Sequence, residues 1–78
     1  MLTIKKIDFE LMKFVVKERQ FKDIFEFAKK IGLKSKGNLS IRLKHLEDSG
    51  IIISKKEGIK KLVKISDTGI YFIKHLGG

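Results

Sequence analysis

From Ile4 to Arg19 apolar positions recur at steps of three and four. Ile4, Ile7, Leu11, Phe14 and Val15, with the stem of Glu18, form one stripe along a predicted helix. Phe9, Met12 and Val16 form a second stripe on a different side of that helix, and one core does not readily cover both. Asp23 followed by Glu26 has the spacing of a capping box. Phe25, Phe27, Ala28 and Ile31 then lead to Gly32 as a stop, which predicts a second helix over 23–31. Gln20-Phe21 before it leaves room for a stub of strand. Lys34 to Asn38 reads as a polar turn. Leu39, Leu43 and Leu46 then mark a third helix, capped by Ser35 or starting at Asn38 and ending near Ser49-Gly50. From Ile51 the period changes. Ile51-Ile52-Ile53, a break at Glu57-Gly58, and Leu62, Val63 and Ile65 predict a β-hairpin over about 51–65. Ser66-Asp67 caps a last helix, about 67–76, with Ile70, Tyr71, Phe72, Ile73 and Leu76, before Gly77-Gly78. The expected class is α+β, in the order helix, helix, helix, hairpin, helix.

At 78 residues one core is expected, hence one domain over 1–78. With 42% hydrophobic residues the chain is too apolar for a disordered tail, yet no apolar run approaches the ~18 residues of a membrane span. Lys5, Lys6, Asp8 and Glu10 interrupt the start MLTIKKIDFE where a secretion signal would be apolar, and a cytoplasmic protein is expected. Eighteen Lys+Arg against nine Asp+Glu give a net charge of +9, which points to a polyanion: nucleic acid first, an anionic membrane surface second. There is no Cys, so disulfides, thiolate chemistry and Cys-based zinc sites are excluded. His45 and His75 have no carboxylate pair at ligand spacing and no nucleophile motif. No enzyme, cofactor, metal or small-molecule ligand is expected.

The string SKGNLSIRLKHLEDSGIIISKKEGIKKLVKISDTG adds more than element order. Ser35, Leu39-Ser40, Leu43, Leu46-Glu47, Gly50-Ile51-Ile52, the basic stretch Lys55 to Lys61, and Ser66 to Gly69 follow a pattern found in bacterial and archaeal winged-helix transcription regulators. Over residues 35–69 the chain resembles that family, in particular its small stand-alone archaeal and archaeal-virus members. The resemblance implies a helix-turn-helix at about 23–49, a wing at 51–65 and a DNA-binding regulator.

With Leu39, Leu43 and Leu46 facing the core, the third helix turns Gly37, Ile41, Lys44, His45 and Asp48 outward. A helix in the major groove reads with its N-terminal half, which makes Lys36, Asn38, Ser40, Ile41, Lys44 and His45 the candidate base-reading residues. Asn38 has the paired donor and acceptor that bridge adenine, and Ile41 an apolar surface for a thymine methyl. Lys34, Arg42, Lys55, Lys56, Lys60, Lys61 and Lys64 are the candidates for DNA backbone contact, on the flank of that helix and on the wing. Phe9, Met12 and Val16, set beside an over-apolar last helix with Tyr71 and Phe72, point to a two-fold dimer interface. The expected partners are therefore double-stranded DNA and a second copy of the chain. With no room for an effector domain, repression by occluding a promoter is expected. The competing classes are an architectural nucleic-acid binder without base preference and a winged-helix protein-interaction module.

Overall fold

A computed structural model describes residues 4–75. Seven elements follow one another: α1 (Lys6–Phe14), β1 (Arg19–Gln20), α2 (Phe21–Lys30), α3 (Lys36–Asp48), β2 (Ile52–Glu57), β3 (Lys60–Ile65) and α4 (Asp67–His75). The strands make one antiparallel sheet in the order β1-β3-β2. The α+β class and element order match the sequence reading; Met1 to Thr3, Leu76 and Gly77-Gly78 lie outside the described residues.

The first helix ends at Phe14 rather than near Arg19. The carbonyl acceptors that would extend it are engaged elsewhere. Val15 O accepts the N–H of Ile65 at 2.9 Å, and Phe14 O accepts Arg19 Nε–H at 3.1 Å. Arg19 and Gln20 instead pair with Val63 and Leu62, so Glu18 leaves the expected stripe. The strand feeds directly into α2, which therefore starts at Phe21 with Gln20 as N-cap. Asp23 lies within the first turn and not at the cap.

The two stripes of α1 also need correction. Leu11, Met12 and Val15 are all buried, Phe9 is half-buried against the core, and Val16 stays outside. Met12 is fully enclosed by its own chain, because α1 is covered by both α2 and α4. It is a core residue and cannot be the centre of a dimer surface. Phe14 stacks on Phe27 with ring centroids 4.3 Å apart, joining α1 to α2.

For α3, Ser35 is the cap: its Oγ accepts the N–H of Asn38 at 3.3 Å. Leu39, Leu43 and Leu46 are buried as the periodicity requires. The hairpin turns through Gly58 and Ile59. Gly58 has φ +63° and no non-glycine residue among the described residues has positive φ, so glycine stands at the one turn position that requires it, the type II′ pattern. Ser66 caps α4, its Oγ accepting from Gly69 N–H at 3.1 Å and donating toward the carbonyls of Gly50 and Ile51. Gly69 is buried where α4 crosses the hairpin base; a Cβ there would collide with the carbonyl of Ile51 and the side chain of Ile65.

Candidate nucleic-acid interface

The register divides the hairpin's charges between two faces. Ile52↔Ile65, Ser54↔Val63 and Lys56↔Lys61 share the face turned to α3, while Ile53↔Lys64, Lys55↔Leu62 and Glu57↔Lys60 share the other. Lys56 and Lys61 thus stand directly opposite each other with like charge, an arrangement that costs stability unless an anion is present. Lys55 differs. Its amine lies 3.6 Å from Glu18 and 3.7 Å from Glu57, on the face away from α3. Of the expected backbone-contacting wing residues, Lys56 and Lys61 join the helix, Lys60 stands at the tip, and Lys55 and Lys64 face elsewhere.

Between helix and wing runs a cleft of about 230 Å³ lined by Ser40, Leu43, Lys44, Glu47, Ile52, Ser54, Lys61 and Val63. Glu47 accepts the hydroxyl of Ser54, which fastens α3 to β2 and occupies this carboxylate. A wider groove of about 550 Å³ continues past the wing tip, lined by Gln20, Phe21, Lys22, Ser40, Ile59, Lys60 and Lys61. Ser40 and Lys61 belong to both, so α3, the hairpin and the start of α2 bound one continuous concave surface. Lys61 Nζ sits 5.6 Å from the Phe21 ring centroid, a cation–π contact that holds the ammonium over the groove.

On α3 itself Lys36, Asn38, Ser40, Ile41, Lys44 and His45 are all exposed, and Ile41 keeps 56% of its surface in solvent. Lys36 Nζ lies 5.5 Å from the Phe25 ring centroid at the helix start. Lys34 is exposed just before the helix. The acids Glu47 and Asp48 fall at the C-terminal end, so positive charge concentrates on the N-terminal half and the wing.

Arg42 does not belong to this set. Its guanidinium grips Asp8 on α1 with two hydrogen bonds, Nε to Oδ1 at 3.1 Å and Nη2 to Oδ2 at 2.7 Å. Asp8 is 3% exposed and also accepts the Lys5 N–H at 2.9 Å. The expectation of a phosphate contact gives way to a buried ion pair. Withdrawing the arginine would strand a carboxylate without its counter-charge.

Lys22, Phe21 and Ile59 were missed from sequence. Lys22 lacks any motif. Ile59 did carry a signal, since an isoleucine between Gly58 and Lys60 at a hairpin tip has no core to enter, and it is fully exposed.

Val16, Ile70 and Tyr71 keep 50%, 37% and 59% of their surface, while Phe72 is half-buried. Tyr71 packs on the His75 ring at 4.3 Å and edge-on to Phe72 at 6.3 Å. Among the described residues no three His, Cys, Asp or Glu side chains are gathered to hold a metal. No described helix is long and apolar enough to cross a membrane.

No protein-family model matches the sequence, and no curated protein matches it. Solved structures do. A crystal structure of fragment 1–100 of a possible transcriptional regulatory protein from Mycobacterium bovis aligns with TM-score 0.75 at 15% identity, covering 94% of this chain and 75% of that one. A solution structure of fragment 1–100 from M. bovis, described as a homodimeric winged helix-turn-helix DNA-binding domain and a possible ArsR-family regulator, gives 0.74 at 15%, over 94% of this chain and 65% of that one. A crystal structure of a possible transcriptional regulator for arsenical resistance gives 0.69 at 13%, over 96% and 82%. The M. bovis likenesses are bacterial, and the archaeal or viral character read into the sequence has no counterpart in them. Likeness at this identity concerns architecture, and the architecture is clear: α2 and α3 are the helix-turn-helix, β2 and β3 the wing, and the chain has the winged helix-turn-helix fold.

Proposed function

We propose that the protein is a sequence-specific double-stranded-DNA-binding transcription regulator. In this reading α3 enters the major groove and the wing lies along the flanking backbone or minor groove. One observation carries it: the flank of α3 at Ser40 and Lys44, the wing with its tip, and the start of α2 line a single concave surface on which Lys44, Lys61, Lys60 and Lys22 converge. The like-charged Lys56↔Lys61 pair gains an anion there, and DNA phosphates supply one. Exposed Asn38 and Ile41 on the same helix provide groups that discriminate bases, beyond what backbone attraction needs.

The protein works as a homodimer through α1 and α4, which present Val16, Ile70, Tyr71 and the outer parts of Phe9 and Phe72. The M. bovis domain of the same fold is homodimeric, which supports pairing as such; the choice of α1 and α4 rests on these exposed side chains. Two copies set their reading helices about one helical turn, ~34 Å, apart on a pseudo-palindromic site. A dimer seated across such a site blocks other proteins from it, so repression is the expected outcome, and the work is done where the cell's DNA lies.

Selection of bound fragments from a random duplex pool tests the reading. An enriched, two-fold symmetric motif held at least ~10³-fold more tightly than unrelated DNA is expected at physiological salt. Binding without enrichment would make the protein an architectural binder. Absence of duplex binding at low salt would assign the basic face to a different partner.

A further inference from the structure

The only buried charged side chain among the described residues, Asp8, lies on α1 and reaches across 34 positions of sequence to the reading helix. We propose that Asp8 and Arg42 form a positioning latch: Arg42 is on the DNA-reading helix yet touches no DNA, and the pair fixes the angle at which α3 is presented. The inference rests on the DNA-binding reading above.

Three features support it. The grip is bidentate, with Nε at 3.1 Å and Nη2 at 2.7 Å on the two oxygens of one carboxylate, so it sets orientation as well as distance. The same carboxylate accepts the Lys5 N–H at 2.9 Å, which ties the latch to the first turn of α1 and not to a freely rotating side chain. Finally, Arg42 leaves α3 one residue from Ile41 and two from Lys44 and Ser40, so a small rotation of the latch moves the whole reading face. A phosphate does not easily win this guanidinium, because Asp8, 3% exposed, would be left unpaired in the interior. The latch also links α3 to the helix assigned to the dimer, so it sets each reading helix relative to the two-fold axis.

The test uses the sign of a charge change. Asp8→Asn removes an acid from a protein proposed to bind a polyanion, so simple electrostatics predicts tighter binding. The latch predicts the reverse. Affinities of wild type, Asp8→Asn, Arg42→Gln and the double variant are measured by fluorescence anisotropy on the selected site and on unrelated duplex, across a salt series, with circular dichroism confirming the fold at the assay temperature. Each single variant is expected to lose at least tenfold on the selected site, with the double variant no worse than either single. Asp8→Asn should keep its binding to unrelated duplex, and Arg42→Gln should keep the salt slope. Asp8→Asn binding the selected site as tightly as wild type, or Arg42→Gln losing about 0.9 in slope, the mark of one lost phosphate contact, overturns the latch. Should Asp8→Asn fail to fold, Arg42→Lys keeps the charge and loses the fork; undiminished site preference in that variant overturns the proposal equally. If wild type binds no duplex, the DNA reading fails separately, and amide shifts decide the latch alone: changes in Asp8→Asn spreading to Ser40, Ile41 and Lys44 support it, and changes confined to α1 contradict it.

Discussion

Gly69 and Met12 show how a single side chain can be decided by its surroundings. At Gly69 a methyl group has no space between the Ile51 carbonyl and Ile65, both of which belong to the base of the wing. Gly69→Ala is expected to destabilise the fold by about 1–3 kcal/mol through overpacking, lowering Tm by several degrees per kcal/mol in a thermal melt. An unchanged Tm would mean that α4 can shift freely on the hairpin. Met12 is enclosed within its own chain, so Met12→Lys places an ammonium in the core. The expected result is loss of the folded far-ultraviolet spectrum, at a cost above about 3 kcal/mol, and not a well-folded monomer. The interface is instead tested at Tyr71, which is exposed. Tyr71→Glu should leave Tm nearly unchanged while sedimentation at micromolar concentration shifts from dimer to monomer; a wild type that already sediments as a monomer removes the dimer.

Among the elements, the wing divides its lysines between the face turned to α3 and a face where Lys55 lies beside Glu18 and Glu57, and the proposed interface uses only the first. Lys56→Ala relieves like-charge repulsion across the ladder, so stability should hold or rise by a few tenths of a kcal/mol. DNA affinity should nonetheless fall at every sequence, with the salt slope shallower by about 0.9. Lys55→Ala, on the far face beside Glu18 and Glu57, should leave both quantities nearly unchanged. Reversal of these two results in a salt titration would place DNA on the other side of the hairpin. The element order, the Ser35 and Ser66 caps, the buried side of α3 and the turn glycine were legible because each depends on local chemistry or periodicity. The early end of α1 was not, since Val15 O is engaged by Ile65, far along the chain. Nor was the division of the wing lysines, because a register decides it, nor the role of Arg42, because its partner lies 34 positions away. Met12 misled for a related reason: two helices cover α1, and spacing along one helix does not count its neighbours.

For the molecule as a whole, +9 of net charge could act from any direction, and the fold gives it one. Lys44 on α3, Lys60 and Lys61 on the wing and Lys22 at the start of α2 stand around one concavity, whereas α1 and α4 present apolar side chains elsewhere. Solved structures at 13–15% identity share this architecture, so the fold tolerates nearly complete change of sequence, and the proposed function has to be tested at particular side chains. A titration of the isotope-labelled protein with a duplex carrying its selected site, followed through backbone amide and lysine side-chain resonances, shows which face meets DNA. Shifts are expected at Lys36 to His45, at Lys56 to Lys61 and at Lys22, with Lys55 and Lys64 quiet. Shifts concentrated on α4 and the outer face of the wing, with α3 unperturbed, would contradict the interface.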